Sequence, residues 1–171
     1  TDAGPVRTDP IIPAATGTCP GLTTSGTVMA SPAGIDPRPV RILVSGAAAT
    51  LDGPVVFFWH GAGGSPTEAE FALGSAAITA ILDAGGIVVA PFHDPSQTLL
   101  PWYLSLGREE NDLLVADEIL ACAAASIGID ETHIHAVGFS AGALHTTQMS
   151  FRRASYVASV VTYSGGLTSV R

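Results

Sequence analysis

The pentapeptide Gly138-Phe139-Ser140-Ala141-Gly142 sets one hydroxyl between two glycines, after a β-like run ending at Phe139 and before a helix-compatible run starting near Ala141. A Gly-x-Ser-x-Gly in that context reads as a nucleophile elbow, a tight strand-to-helix turn that exposes the serine while the glycines relieve the crowding around it. The chemistry this allows is attack on a carbonyl carbon. Serine is a weak nucleophile at neutral pH, so it needs a base to take its proton and donors to stabilise the oxyanion that forms. One donor is built into the motif: the backbone N–H of Ala141 at the start of a helix, where the dipole also favours negative charge. The second is expected from His60-Gly61-Ala62-Gly63-Gly64, which follows the apolar run Val55 to Trp59. Glycines let the backbone approach a substrate oxygen closely, so Gly61 or Ala62 is the expected second donor. A Gly-rich stretch after a strand also suits a phosphate. No Walker lysine follows it and no Gly-x-Gly-x-x-Gly spacing is present, which speaks against a nucleotide site.

The base is harder to find among the five histidines. His60 opens the Gly-rich loop and is expected to order it through a hydrogen bond. His145 lies five residues after Ser140 on the same helix and is poorly placed to reach back to the elbow. His133 and His135 share one face of a strand at its far end; their spacing would suit a metal, but no third ligand is evident, so no metal is expected. His93 and Asp94 follow a strand at the edge where open α/β sheets bind ligands. His93 is therefore a candidate substrate contact, as are Trp102 and Tyr103 in the same loop, whose rings could stack on an acyl group or simply pack over the helix below. Asp112 and Glu109 read as favourable first-turn charges on a helix.

The elements that must position these residues follow from the hydrophobic pattern. Residues 1 to 38 are rich in Pro, Gly, Thr and Ala and read as an extended lead-in, with short strands, to the same domain that continues from 39 to 171. Strands are expected at 40–45, 55–59, 87–92, 134–139 and 157–163. Helices are expected at 66–83, 109–126 and 141–152. In the first helix Ser65 and Glu68 suggest a capping box, and Phe71, Ser75, Ile78 and Leu82 fall on one face. The alternation predicts an α/β fold, doubly wound around a mainly parallel sheet.

Composition agrees. An apolar fraction of 47% with 13% charged residues suits strands buried on both faces, and 171 residues suffice for one sizeable core. A net charge of -8 disfavours nucleic acid as a partner, and no apolar run is long enough to span a bilayer. Cys19 and Cys122 are the only cysteines. At about 100° per residue Leu113, Ala116, Leu120 and Ile127 share a helix face and Cys122 falls opposite Leu113, so it is not an obvious core residue. A Cys19–Cys122 disulfide would tether the lead-in to that outer face and place the protein in an oxidising compartment, secreted or periplasmic; two unrelated thiols are the alternative.

HGAGG after one strand, GFSAG after another, and Gly-Ile-Asp-Glu-Thr-His-Ile-His leading into the second resemble the α/β-hydrolase superfamily. Within it the chain resembles the secreted esterases related to polyhydroxybutyrate depolymerases and to feruloyl or acetylxylan esterases. The resemblance implies Ser140 as nucleophile, Ala141 with Gly61 or Ala62 as oxyanion hole, an acyl-enzyme, a carboxylic ester substrate and no cofactor. It also implies an acid and a histidine located beyond Arg171. The chain is thus expected to be the amino-terminal portion of a single domain, inactive alone, its acid and histidine supplied by a second chain cut from the same precursor or by further residues. Thr168-Ser169-Val170-Arg171 has the small, polar character of an exposed processing loop. A non-catalytic binding module on the same fold, and a serine peptidase or thioesterase, are the competing readings.

Overall fold

The computed structural model describes residues 9–104 and 108–166. Six strands form one sheet: β1 (Gly26–Ala30), β2 (Arg38–Val44), β3 (Val55–Trp59), β4 (Ile87–Pro91), β5 (Ile134–Phe139) and β6 (Ser159–Tyr163), in the spatial order β1-β2-β4-β3-β5-β6. The pairs β4/β3, β3/β5 and β5/β6 are parallel, whereas β1/β2 and β2/β4 are antiparallel. The expected α/β, doubly wound, mainly parallel sheet is present. Its central strands β3 and β4 are buried along their whole length, as continuous apolar runs covered on both faces must be. β2 is half-buried, with Arg38, Val40, Ile42 and Val44 turned inward at a period of two.

The same period divides β3 between two cores. Phe57 and Trp59 join Leu113, Ile119, Leu120 and Met149 beneath α3 (Glu110–Ser126) and α4 (Ala141–Arg152). Val56 and Phe58 join Ala69 and Val137 under α1 (Glu68–Leu73) and α2 (Ser75–Asp83). The single helix expected over 66–83 is therefore two. Gly74 breaks it, with φ 78° and ψ 151°, a conformation that non-glycine residues adopt only under strain. The capping box is not formed either: Ser65 Oγ pairs with Thr67 Oγ1, and the helix starts at Glu68 without a side-chain cap. Phe71, expected on the packed face, is 93% exposed.

Cys122 corrects another expectation, because it is fully buried. Its disulfide with Cys19 explains this: the lead-in lies across the outer side of α3 and covers it. Glu118, one turn earlier, accepts hydrogen bonds from Thr16 N–H and Oγ1 and from Gly17 N–H at 2.8, 3.0 and 2.9 Å, and Leu22 enters the core. The lead-in thus converts an outward helix face into an interior one. The expected processing segment Thr168–Arg171 lies outside the described residues. Among the described residues β1 and β6 are the two edges of the sheet, and all five residues of β6 are exposed.

Candidate active site

β5 delivers Ser140 to the carboxyl edge of the sheet, and α4 leaves immediately after it. Ser140 has φ 53° and ψ −116°, a left-handed backbone that costs a non-glycine residue about 1–3 kcal/mol and persists only where its surroundings enforce it. Those surroundings are tight. A Cβ on Gly138 would strike the Gly142 carbonyl and Thr146 Oγ1, and a Cβ on Gly142 would strike the carbonyls of Trp59 and His60. Both motif glycines are therefore required by close approach of the β3 backbone and of the first turn of α4. Ser140 N–H donates to the Tyr163 carbonyl at 2.8 Å, while its own carbonyl accepts from Ala143 at 3.0 Å. The Ala141 N–H, at the first position of α4, has no acceptor among the described residues.

The neighbouring turn rises from β3, whose Trp59 pairs in register with Gly138 of β5. Gly61 sits against the Phe139 ring, so the two turns touch. The Gly61 carbonyl accepts from Gly64 N–H at 3.1 Å and from His60 Nδ1 at 2.8 Å. Gly63, third in this turn, has φ 73°, the sign a type II turn demands there. In a trans peptide the C=O and the following N–H point in opposite directions, so holding the Gly61 carbonyl toward His60 turns the Ala62 N–H away from it. That N–H also lacks an acceptor among the described residues.

His60 itself is fully buried. Burial is the largest influence on it and, with the neighbouring His93, holds its pKa below the ordinary histidine value against the opposing pull of the Gly61 bond and of Glu68. Trp102 packs against the His60 ring at 4.8 Å and donates Nε1–H to the His60 carbonyl at 2.8 Å. Trp102 and Tyr103 are only 1% and 5% exposed, so their rings pack beneath the Gly-rich turn. Of the two expected alternatives, stacking on an acyl group or packing inward, this burial favours packing.

Asp112 is likewise more than a first-turn charge. It is fully buried, accepts from Arg38 Nη1 and from Tyr103 N–H, both at 2.7 Å, and thereby anchors the loop after β4 to α3. Tyr103 Oη in turn donates to Asp94 at 2.9 Å. Burial pushes the Asp94 carboxyl up, but bonds from Ser96 and Tyr103 and the charge of Arg38 outweigh it and hold the group below its usual range. Two sequence signals marked this pair. Arg38 stands in the inward alternation of β2, and Asp112 lies about 40° around α3 from the buried Ala116.

His145 occupies the core between Trp59 and Trp102, with ring centroids 4.2 and 5.6 Å away. Burial lowers its pKa to about 4, and neither ring nitrogen has a hydrogen-bond partner among the described residues. His133 bonds to Asp130 at 2.7 Å and His135 to Ser159 at 2.8 Å, both at the far end of the sheet from Ser140. No described histidine hydrogen-bonds the Ser140 side chain.

The strand order and directions, with the Ser140 turn after β5 and the Gly-rich turn after β3, define an α/β-hydrolase fold. Among solved structures the chain is similar to a protein designated pOPH, crystallised with DMSO, at TM-score 0.63 and 17% identity over 84% of this chain and 51% of that one. A thermostable esterase matches at TM-score 0.60 and 20% identity over 80% of this chain and 40% of that one. An acetyl xylan esterase from Aspergillus awamori matches at 0.56 and 21%, over 75% and 48%. The chain thus spans about half the length of the solved structures it matches. Neither a protein-family model nor a curated protein matches it.

Proposed function

We propose that this chain carries the nucleophile and oxyanion hole of a serine carboxylic ester hydrolase. The observation that carries the reading is the enforced left-handed Ser140, standing beside the unpaired N–H groups of Ala141 and Ala62. Ser140 Oγ attacks the ester carbonyl carbon while a histidine takes its proton. The carbonyl oxygen becomes an oxyanion that accepts from Ala141 and Ala62, and the tetrahedral species collapses to an acyl-enzyme. The alcohol leaves with the proton, and water completes hydrolysis by the same path. The esterase neighbours support an ester substrate, and polyester or carbohydrate-linked esters fit the resemblance.

The acid and histidine are supplied by polypeptide beyond the described residues, continuous with this chain or cut from the same precursor, because the described histidines are committed elsewhere. The disulfide favours a secreted or periplasmic protein. No helix among the described residues is long and apolar enough to cross a membrane. A fluorophosphonate probe tests the reading: the native protein should label at Ser140 and Ser140→Ala should not. Failure of the native protein to label would leave a non-catalytic binding module. Hydrolysis of peptide amides or thioesters in preference to aryl and polyester esters would redirect the substrate class. Intact mass of the native protein distinguishes one continuous polypeptide from two.

A further inference from the structure

His93 stands on the loop after β4, half-buried, with Nδ1 3.3 Å from His60 Nε2 and the two ring centroids 5.2 Å apart, edge to face. The proton positions follow from the partners. The Gly61 carbonyl oxygen can only accept, so His60 Nδ1 carries the hydrogen and neutral His60 has a bare lone pair at Nε2. The bond between the rings then requires His93 Nδ1–H to donate. We propose that His93 is a positioning residue for the Ala62 N–H: by donating to His60 Nε2 it fixes the tautomer that holds the Gly61 carbonyl, and with it the Gly61–Ala62 peptide plane.

The consequence for catalysis rests on the esterase reading, whereas the relay rests on the geometry alone. His60 has little freedom to escape it. Trp102 packs on its ring and holds its carbonyl, and His93 is the one described side chain hydrogen-bonded to its Nε2. If His93 accepted instead, His60 would carry its hydrogen on Nε2 and face the Gly61 oxygen with a lone pair. The Gly61 carbonyl would then keep only the Gly64 N–H and lose the side-chain donor that fixes the plane of the peptide. Burial favours the neutral ring that the relay needs.

The test compares His93→Ala with His93→Gln, whose amide N–H can still donate, using nitrogen NMR of the imidazoles and of the Ala62 amide in the native protein at neutral pH. The wild type should show His60 protonated at Nδ1 and bare at Nε2. His93→Ala should shift both the His60 and Ala62 resonances and lower kcat about tenfold with KM within about twofold, a fraction of the loss expected when an oxyanion donor is removed outright. His93→Gln should restore most of both. A wild-type His60 protonated at Nε2, or Ala62 and His60 resonances unmoved in His93→Ala, overturns the relay; so does a change in KM alone, which would make His93 a substrate contact. A wild type that takes up no phosphonate defeats the esterase reading instead, and the NMR arm still decides the relay.

Discussion

The turns at the carboxyl ends of β5 and β3 touch one another, yet they are held in different ways. The Ser140 elbow is held by backbone: Gly138 and Gly142 admit neighbouring carbonyls where any side chain would collide, and the first turn of α4 grips the Ser140 carbonyl. The His60–Gly64 turn is held by side chains arriving from far away in sequence, His93 and Trp102 after β4, with Asp112 on α3 and Arg38 on β2 behind them. Steric constraints of the first kind fall on fixed positions of one short segment and so leave a motif, even where the colliding carbonyl belongs to β3. Support of the second kind is a chain of polar contacts, each of which looks ordinary in isolation.

The contrast can be broken from the elbow side most severely. Gly142→Ala forces a Cβ into the Trp59 carbonyl, which no rotamer relieves, and should cost about 4 kcal/mol or more in urea unfolding, at the extreme of single substitutions. Wild-type stability and normal Ser140 labelling in that variant would show that the turns are not interlocked through backbone. On the loop side, Asp112→Asn leaves the buried Arg38 guanidinium opposite a neutral amide and should cost about 3–4 kcal/mol. Phosphonate labelling of whatever remains folded should also slow, because Tyr103 and Trp102 lose their anchor. Unchanged labelling would detach the Gly-rich turn from this network.

A third measurement uses pH. His145 has its pKa lowered from 6.5 to about 4 by burial, so the unfolded chain binds a proton that the folded one refuses. Stability from this group is fully present above about pH 6.5 and is lost as pH falls toward 4, by on the order of 3 kcal/mol. His145→Phe, which keeps a ring between Trp59 and Trp102, should flatten that part of the stability profile; an unchanged acid slope would assign it to other groups. The smallest effect isolates the elbow's strain. Ser140→Gly and Ser140→Ala both remove the proposed nucleophile, but only glycine relaxes the positive φ, so the glycine variant should be the more stable by about 1 kcal/mol. Equal stabilities would mean that the conformation carries no strain.

Much of this was legible in the sequence. The five expected strands, the helices carrying Cys122 and following Ser140, the elbow and the Gly-rich turn are local patterns, in which periodicity and glycine placement act within a few residues. Gly74 defeated the reading of 66–83 because its φ of 78° splits a hydrophobic pattern that periodicity alone would continue. Asp112 does stand in the first turn of α3, but its burial, like that of Trp102 and Tyr103, is decided by what covers it. The same holds for Cys122, which only the lead-in makes interior.

The sequence by itself determined the α/β alternation and placed the Gly-x-Ser-x-Gly turn, since strand period, helix period and glycine spacing are read within a few residues. Only the tertiary structure decided how the Gly61–Ala62 peptide is held and which histidine lies against His60. A peptide plane two residues beyond β3 is oriented by a tautomer, and the tautomer depends on His93, brought alongside by the parallel pairing of β3 and β4.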